Sequence, residues 1–206
     1  MPSSLTKLGV WNLAIDVIKD TALQTTQDNT ATSRWLERNW QHAVETTLRT
    51  YVWNFSKKFV KLPADATPPA FKWQYSYKPP AGWLRVLYMT EGGERYGRPI
   101  PHEIVGDRIF TNEPPPLCVP LVMDVSANPG LWDPLFVEIV RCKLGLGMAN
   151  KFTSKAKYIE LASQLLKQAT DQAELIDALE GSAEPVEQFD ILRARGADPN
   201  TARGWR

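Results

Sequence analysis

Residues 29–62 change hydrophobic period in mid-course, and that change narrows the folds open to the chain. Leu36, Trp40, Ala43, Val44, Thr47, Leu48 and Tyr51 recur at three- and four-residue spacing, so they share one helix face. Arg34, Glu37, Arg38, Glu45 and Arg49 take the other face. Asp28, Asn29 or Thr30 can accept bonds from the first free amides and cap the helix. After Trp53-Asn54-Phe55 the period falls to two, with Phe55, Lys57, Phe59 and Lys61 alternating with Ser56, Lys58, Val60 and Leu62. A long helix that runs directly into a strand implies an α+β chain. This second helix is its expected spine.

Residues 5–20 read as helix 1, with Leu8, Trp11, Asn12, Ile15 and Ile18 near one face and Ser3 or Ser4 as cap. A short polar link joins it to helix 2, which predicts antiparallel packing of the two. Phe71, Trp73, Tyr75 and Tyr77 alternate with polar residues, the pattern of a half-buried strand. Further strands are expected over 83–90, 96–105, 108–111 and 117–125, with turns at Glu91-Gly92-Gly93-Glu94 and Gly106-Asp107. Asp133 and Pro134 open helix 3, which is apolar almost all round and therefore expected to be buried on several sides. Gly145 and Gly147 weaken that helix by roughly 1 kcal/mol each relative to Ala, which points to close approach of a neighbouring helix. Ser154 caps helix 4 and Gly181 follows its end, with Tyr158, Leu161, Ala162, Leu165, Ala169, Ala173 and Ile176 as its stripe.

The expected architecture is a four-helix bundle core, residues 1–52 and 131–181, with an antiparallel β-sheet or small sandwich inserted over 53–130. Residues 182–206 read as an extended C-terminal tail, acidic at first and then rich in Arg, with too few apolar residues to form a core.

Composition removes several function classes. A formal charge of +1 argues against tight DNA binding, which depends on neutralising phosphates, though not against a surface that DNA passes. Cys118 and Cys142 are far apart, so neither a zinc cluster nor a disulfide framework is readable. No apolar run is long enough to span a membrane, and the first residues lack a signal-peptide pattern. Synthesis in a reducing cytoplasm is expected. With 8 Trp, the chain is expected to use aromatic residues for broad packing or as interface anchors.

No catalytic or metal constellation is legible, and no cofactor is expected. His42 lies at a polar point of helix 2 and His102 in a loop, each more economically a surface residue. Cys142 in an apolar helix reads as an inert core thiol. Gly145-Leu146-Gly147 lacks the third glycine and the preceding strand of a dinucleotide fingerprint. The pairs Glu91/Glu94 and Glu184/Glu187 read as solvated charge. Lys57, Lys58, Lys61, Lys72 and Lys78 form a basic set beside aromatic strands. They suit either a nucleic-acid platform or the wet face of a sheet, and near-neutral charge favours the second.

Several motifs occur in order: Asn12-Leu13-Ala14; Asp28-Asn29-Thr30-Ala31; Tyr51-Val52-Trp53-Asn54-Phe55-Ser56; Trp73 to Pro80 with its Tyr77-Lys78-Pro79; Leu84-Arg85-Val86-Leu87; and Trp132-Asp133-Pro134-Leu135-Phe136. In order and spacing, over about residues 5–180, this layout resembles the head-to-tail adaptors of short-tailed bacteriophages, the tail tubular protein A or gatekeeper type. The stretch 102–120 departs from that family in its proline content. The resemblance implies a structural virion protein made in the host cytoplasm, not an enzyme. It implies a ring of identical subunits, commonly twelve, between the portal protein and the tail nozzle protein. The ring would continue the DNA channel for genome retention and ejection, with no sequence-specific grip on the DNA and no membrane. On this reading Phe189, Ile191, Leu192 and Trp205 of the tail are expected to dock on the portal, and Lys57, Lys58, Lys61 or Lys72 to face the channel. The alternative is a non-viral cytoplasmic protein-interaction module without catalytic activity.

Overall fold

The computed structural model describes residues 5–95, 97–153 and 156–180, the stretch 174–180 by backbone alone. Four helices, α1 (Lys7–Ile18), α2 (Ala31–Thr50), α3 (Pro134–Met148) and α4 (Ala156–Glu180), flank six strands in sequence. The strands are β1 (Lys57–Leu62), β2 (Tyr75–Tyr77), β3 (Trp83–Val86), β4 (His102–Val105), β5 (Arg108–Thr111) and β6 (Leu117–Met123). They form two antiparallel three-stranded sheets, ordered β1-β6-β3 and β2-β5-β4. The fold is therefore mixed α plus β.

Helix starts follow local chemistry. Thr6 accepts from Gly9 N to cap α1, and the expected caps Ser3 and Ser4 lie outside the described residues. Of the three candidates before α2, Thr30 is the cap, accepting from Ser33 N at 3.0 Å. Asp28 instead closes the preceding turn, accepting from Gln24 N and Thr25 N. Asp133 accepts from Leu135 N at 2.8 Å and Pro134 takes the first helical position, so α3 begins as its sequence implies. Ser154 and Gly181 lie outside the described residues.

The expectation that α2 is the spine needs correction, because α3 is the hub. It packs on α1, α2 and α4, whereas α2 packs on α3 and β3. The glycines explain why. A Cβ on Gly145 would lie 2.8 Å from Val17 Cβ of α1, and one on Gly147 would lie 2.5 Å from Trp35 Cη2 of α2. An apolar helix with two notches can take neighbours on three sides. α1 and α2 meet by bulky side chains, with Trp11 edge-on to Trp40 and Lys7 paired to Glu37.

Two cores result. The first lies among the helices and takes in Val122 of β6. Its centre is a run of rings: Trp40 stacks on Trp132 at 5.3 Å, and Trp132 and Trp53 both meet the edge of Phe136. Trp11, Trp40, Trp53 and Trp132 are all buried, so packing within the chain absorbs much of the aromatic surplus. The second core lies between the sheets, with Leu62, Tyr77, Ile109, Leu117, Val119 and Leu121. β6 serves both cores from its alternating faces, as period two requires. Pro120 sits within this middle strand. Its carbonyl accepts from Leu87 N at 3.1 Å, beyond the end of β3, so its missing N–H falls on the side where the ladder has stopped.

Several expected strands are shorter than their patterns. The alternation at 71–77 yields only Tyr75–Tyr77, because the partner β5 ends at Thr111 and the proline run follows it. Asn112 Oδ1 then takes Gln74 N, and Lys72 turns the chain with φ 70°. β3 stops at Val86 rather than Thr90, and β6 at Met123 rather than Val125. Among the described residues of 97–105, only His102–Val105 forms a strand, and Tyr96 lies outside the described residues. It closes on β5 through the Gly106-Asp107 turn, where Gly106 has φ 62°.

Candidate interaction surface

Among the described residues no group of three His, Cys, Asp or Glu could hold a metal, and no described helix is long and apolar enough to cross a membrane. His42 is exposed on α2, and His102 is exposed on β4 with Nδ1 2.9 Å from the Ile100 carbonyl. Burial pushes the Cys142 thiol up from its ordinary pKa, the direction that makes a thiol inert. Burial also lowers the pKa of Lys143 on α3, whose Nζ lies 3.4 Å from Thr46 Oγ1.

Two polar clusters escaped sequence reading, since their members lie 11 to 43 residues apart. In the first, Asp65 accepts from Ser76 Oγ at 2.6 Å and pairs with Arg108 beside a shallow depression that Thr67 and Pro69 help to line. The Ser76 bond, with Arg108 behind it, holds the Asp65 carboxyl below its ordinary pKa against the opposing effect of desolvation. With Ser76 on β2 and Arg108 on β5 both bonded to it, Asp65 ties the 63–74 loop to the second sheet. In the second, Glu103 accepts from Lys72 Nζ at 2.6 Å and from Trp73 Nε1 at 3.0 Å. The Lys72 bond is the main cause of its lowered pKa.

The lysines of the basic set lie beside different sheets. Lys72 belongs to the Glu103 cluster beside the second sheet, with Nζ 5.2 Å from the Trp73 ring. Lys57, Lys58 and Lys61 lie on β1, the outer strand of the first sheet. Cross-strand partners assign their faces. Lys57, Phe59 and Lys61 stand with Val122, Pro120 and Cys118, and Lys58 stands with Leu121 on the face of the inter-sheet core. Lys57 donates to Asn54 Oδ1 at 2.7 Å. Phe59, between the lysines, is 73% exposed, and Phe71 is 81% exposed on its loop. Ile104 and Val105 are exposed on β4, the outer strand of the second sheet. The expected portal-binding residues Phe189, Ile191, Leu192 and Trp205 lie outside the described residues.

The described surface thus offers free strand edges carrying apolar and basic groups. No protein family matches the chain, and no curated protein is similar enough to match it.

Proposed function

We propose that the chain is a subunit of the head-to-tail adaptor ring of a short-tailed phage, seated between portal and tail nozzle and continuing the DNA channel. On this reading the four helices act as one bundle and the sheets are an insertion that presents edges to neighbours. The chain carries no catalysis and needs no cofactor.

One observation supports the proposal: four of the motifs behind the family resemblance place residues at joints of the fold, while those at 73–80 and 84–87 take in strands β2 and β3. Asn12 grips both backbone groups of Leu23, donating to its carbonyl at 3.1 Å and accepting from its N–H at 2.9 Å. Thr30 caps α2. Trp53-Asn54-Phe55-Ser56 makes the elbow from α2 into β1, where Ser56 Oγ donates to the Trp53 carbonyl at 2.8 Å. Trp132 Nε1 donates to the Val125 carbonyl at 2.9 Å where β6 gives way to α3. A likeness that includes the joints is a likeness of architecture, and an architectural protein works through its surfaces. The exposed edges with Phe59, Ile104 and Val105 suit heterologous contacts, which close into a ring when the rotation per subunit allows.

Electron microscopy of the full chain mixed with isolated portal rings tests this. An annulus of the chain on one face of the portal is expected, commonly of twelve copies. A chain that stays monomeric or dimeric and ignores portals would favour the non-viral interaction module and overturn the proposal.

A further inference from the structure

The outer edge of β1 supports an inference that goes beyond the ring reading and does not depend on it. β1 bonds to β6 on one side only, so its other side leaves backbone N–H and C=O groups open to a further strand. Lys58 and Lys61 are exposed and, among the described residues, have no ion-pair partner; Lys57 is matched only by the neutral Asn54. The lysines beside the second sheet differ, since Lys72 pairs with Glu103 and Lys78 with Asp107. The edge is thus an uncompensated block of positive charge around an exposed Phe59.

A second β1 edge is a poor occupant. Either central antiparallel register would set Lys57 or Lys58 opposite Lys61, and like charges facing across strands are destabilising. The occupant has to be extended, acidic and partly apolar. The sequence contains such a stretch, since no Lys or Arg occurs between Lys167 and Arg193. That span includes Glu184, Glu187 and Asp190, beyond Glu180, the last described residue, and brings Phe189 and Ile191 with them.

We propose that β1 takes residues 184–192 of this chain, its own or a neighbouring copy's, as an added strand. The acids meet Lys57, Lys58 and Lys61, and Phe189 or Ile191 covers Phe59. Strand addition supplies main-chain bonds for affinity, and the charges set register and exclude β1 itself.

Zero-length carbodiimide coupling of the intact full-length chain, read by mass spectrometry of its fragments, tests the contact without any portal. Amide bonds between Lys58 or Lys61 and Glu184, Glu187 or Asp190 are expected, at monomer or dimer mass. The double variant Lys58→Glu/Lys61→Glu lacks both amines and serves as the blank, and adding Glu187→Lys/Asp190→Lys should restore coupling at the same sites. Circular dichroism confirms that each variant keeps its fold, and the substituted lysines are exposed. In parallel, trypsin should cut after Lys58 and Lys61 roughly tenfold faster once residues 182–206 are removed. Coupling of these acids to other lysines, failure of the charge swap to restore coupling, or an unchanged cleavage rate would overturn the proposal. An edge open to trypsin in the intact chain would leave it for a foreign partner. A chain that shows the contact yet ignores portals would refute the ring and leave this inference standing.

Discussion

Asn12 is a polar residue on a helix face otherwise given to the core, and its carboxamide explains the position. It satisfies one donor and one acceptor of Leu23, pinning the α1–α2 link against α1. Asn12→Ala strands both groups in a half-buried site and should cost roughly 1–3 kcal/mol, read as a lower urea midpoint. Tyr77 is fully buried between the sheets and donates to the Glu113 carbonyl at 2.6 Å. Burial, with smaller contributions from Tyr75 and Glu113, pushes its pKa from 10.0 up to about 12. The folded state therefore favours the neutral phenol. Its stabilising contribution is complete below pH 10 and is lost as the pH rises from there through about 12. In an ultraviolet titration Tyr77 should be the late-ionising tyrosine, and Tyr77→Phe should remove that step. Tyr77's place on the buried face was legible in the 71–77 alternation, whereas its Glu113 partner and the Asp65–Ser76–Arg108 tie were not, because the partners come from distant parts of the chain.

At the scale of elements, α3 shows how a helix with poor intrinsic propensity becomes the centre of a fold. Ala at either glycine gains about 1 kcal/mol of propensity, while forcing atoms into a packed core costs ~1–3 kcal/mol. At Gly145 the new methyl meets Val17 Cβ, which is fixed to the α1 backbone, so Gly145→Ala should lower the thermal midpoint. At Gly147 it meets the far end of the Trp35 ring, which can shift at the expense of its edge contact with Phe152, so the loss should be smaller. Strand lengths obey a different rule. The 71–77 alternation is as regular as that of β1, yet half of it is loop, because a strand lasts only as long as its partner. Pattern reports which residues can share a face; pairing reports which of them do.

For the whole molecule, the two cores separate aromatic residues that hold the chain together from those left at its surface. Trp132 joins the ring cluster of the first core, and Trp132→Ala should cost ~3–5 kcal/mol in a denaturant titration. Phe71 is 81% exposed, so Phe71→Ser should change stability by less than ~0.5 kcal/mol, and Phe59→Ser, which loses at most one surface contact, should cost far less than Trp132→Ala. If the adaptor proposal is right, Phe59→Ser should still weaken self-assembly on portal rings, seen as fewer or incomplete annuli in micrographs. A stability loss at Phe59 comparable to that at Trp132 would mean that its role is in folding after all.

By itself the sequence determined what depends on near neighbours: the α2-to-β1 change of period, the Asp133-Pro134 start of α3, the Gly106-Asp107 turn, and an α-plus-β class. These follow from helix and strand periodicity and from hydrogen bonds within a few residues. Tertiary structure decided that α3 and not α2 is the hub, that the strands divide into two sheets, and that Lys72 is held apart from the lysines of β1. Each of those outcomes rests on contacts between residues far apart in the chain, such as Gly145 with Val17 and Lys72 with Glu103. Such contacts depend on which surfaces fit when the elements meet, and a linear pattern does not encode that fit.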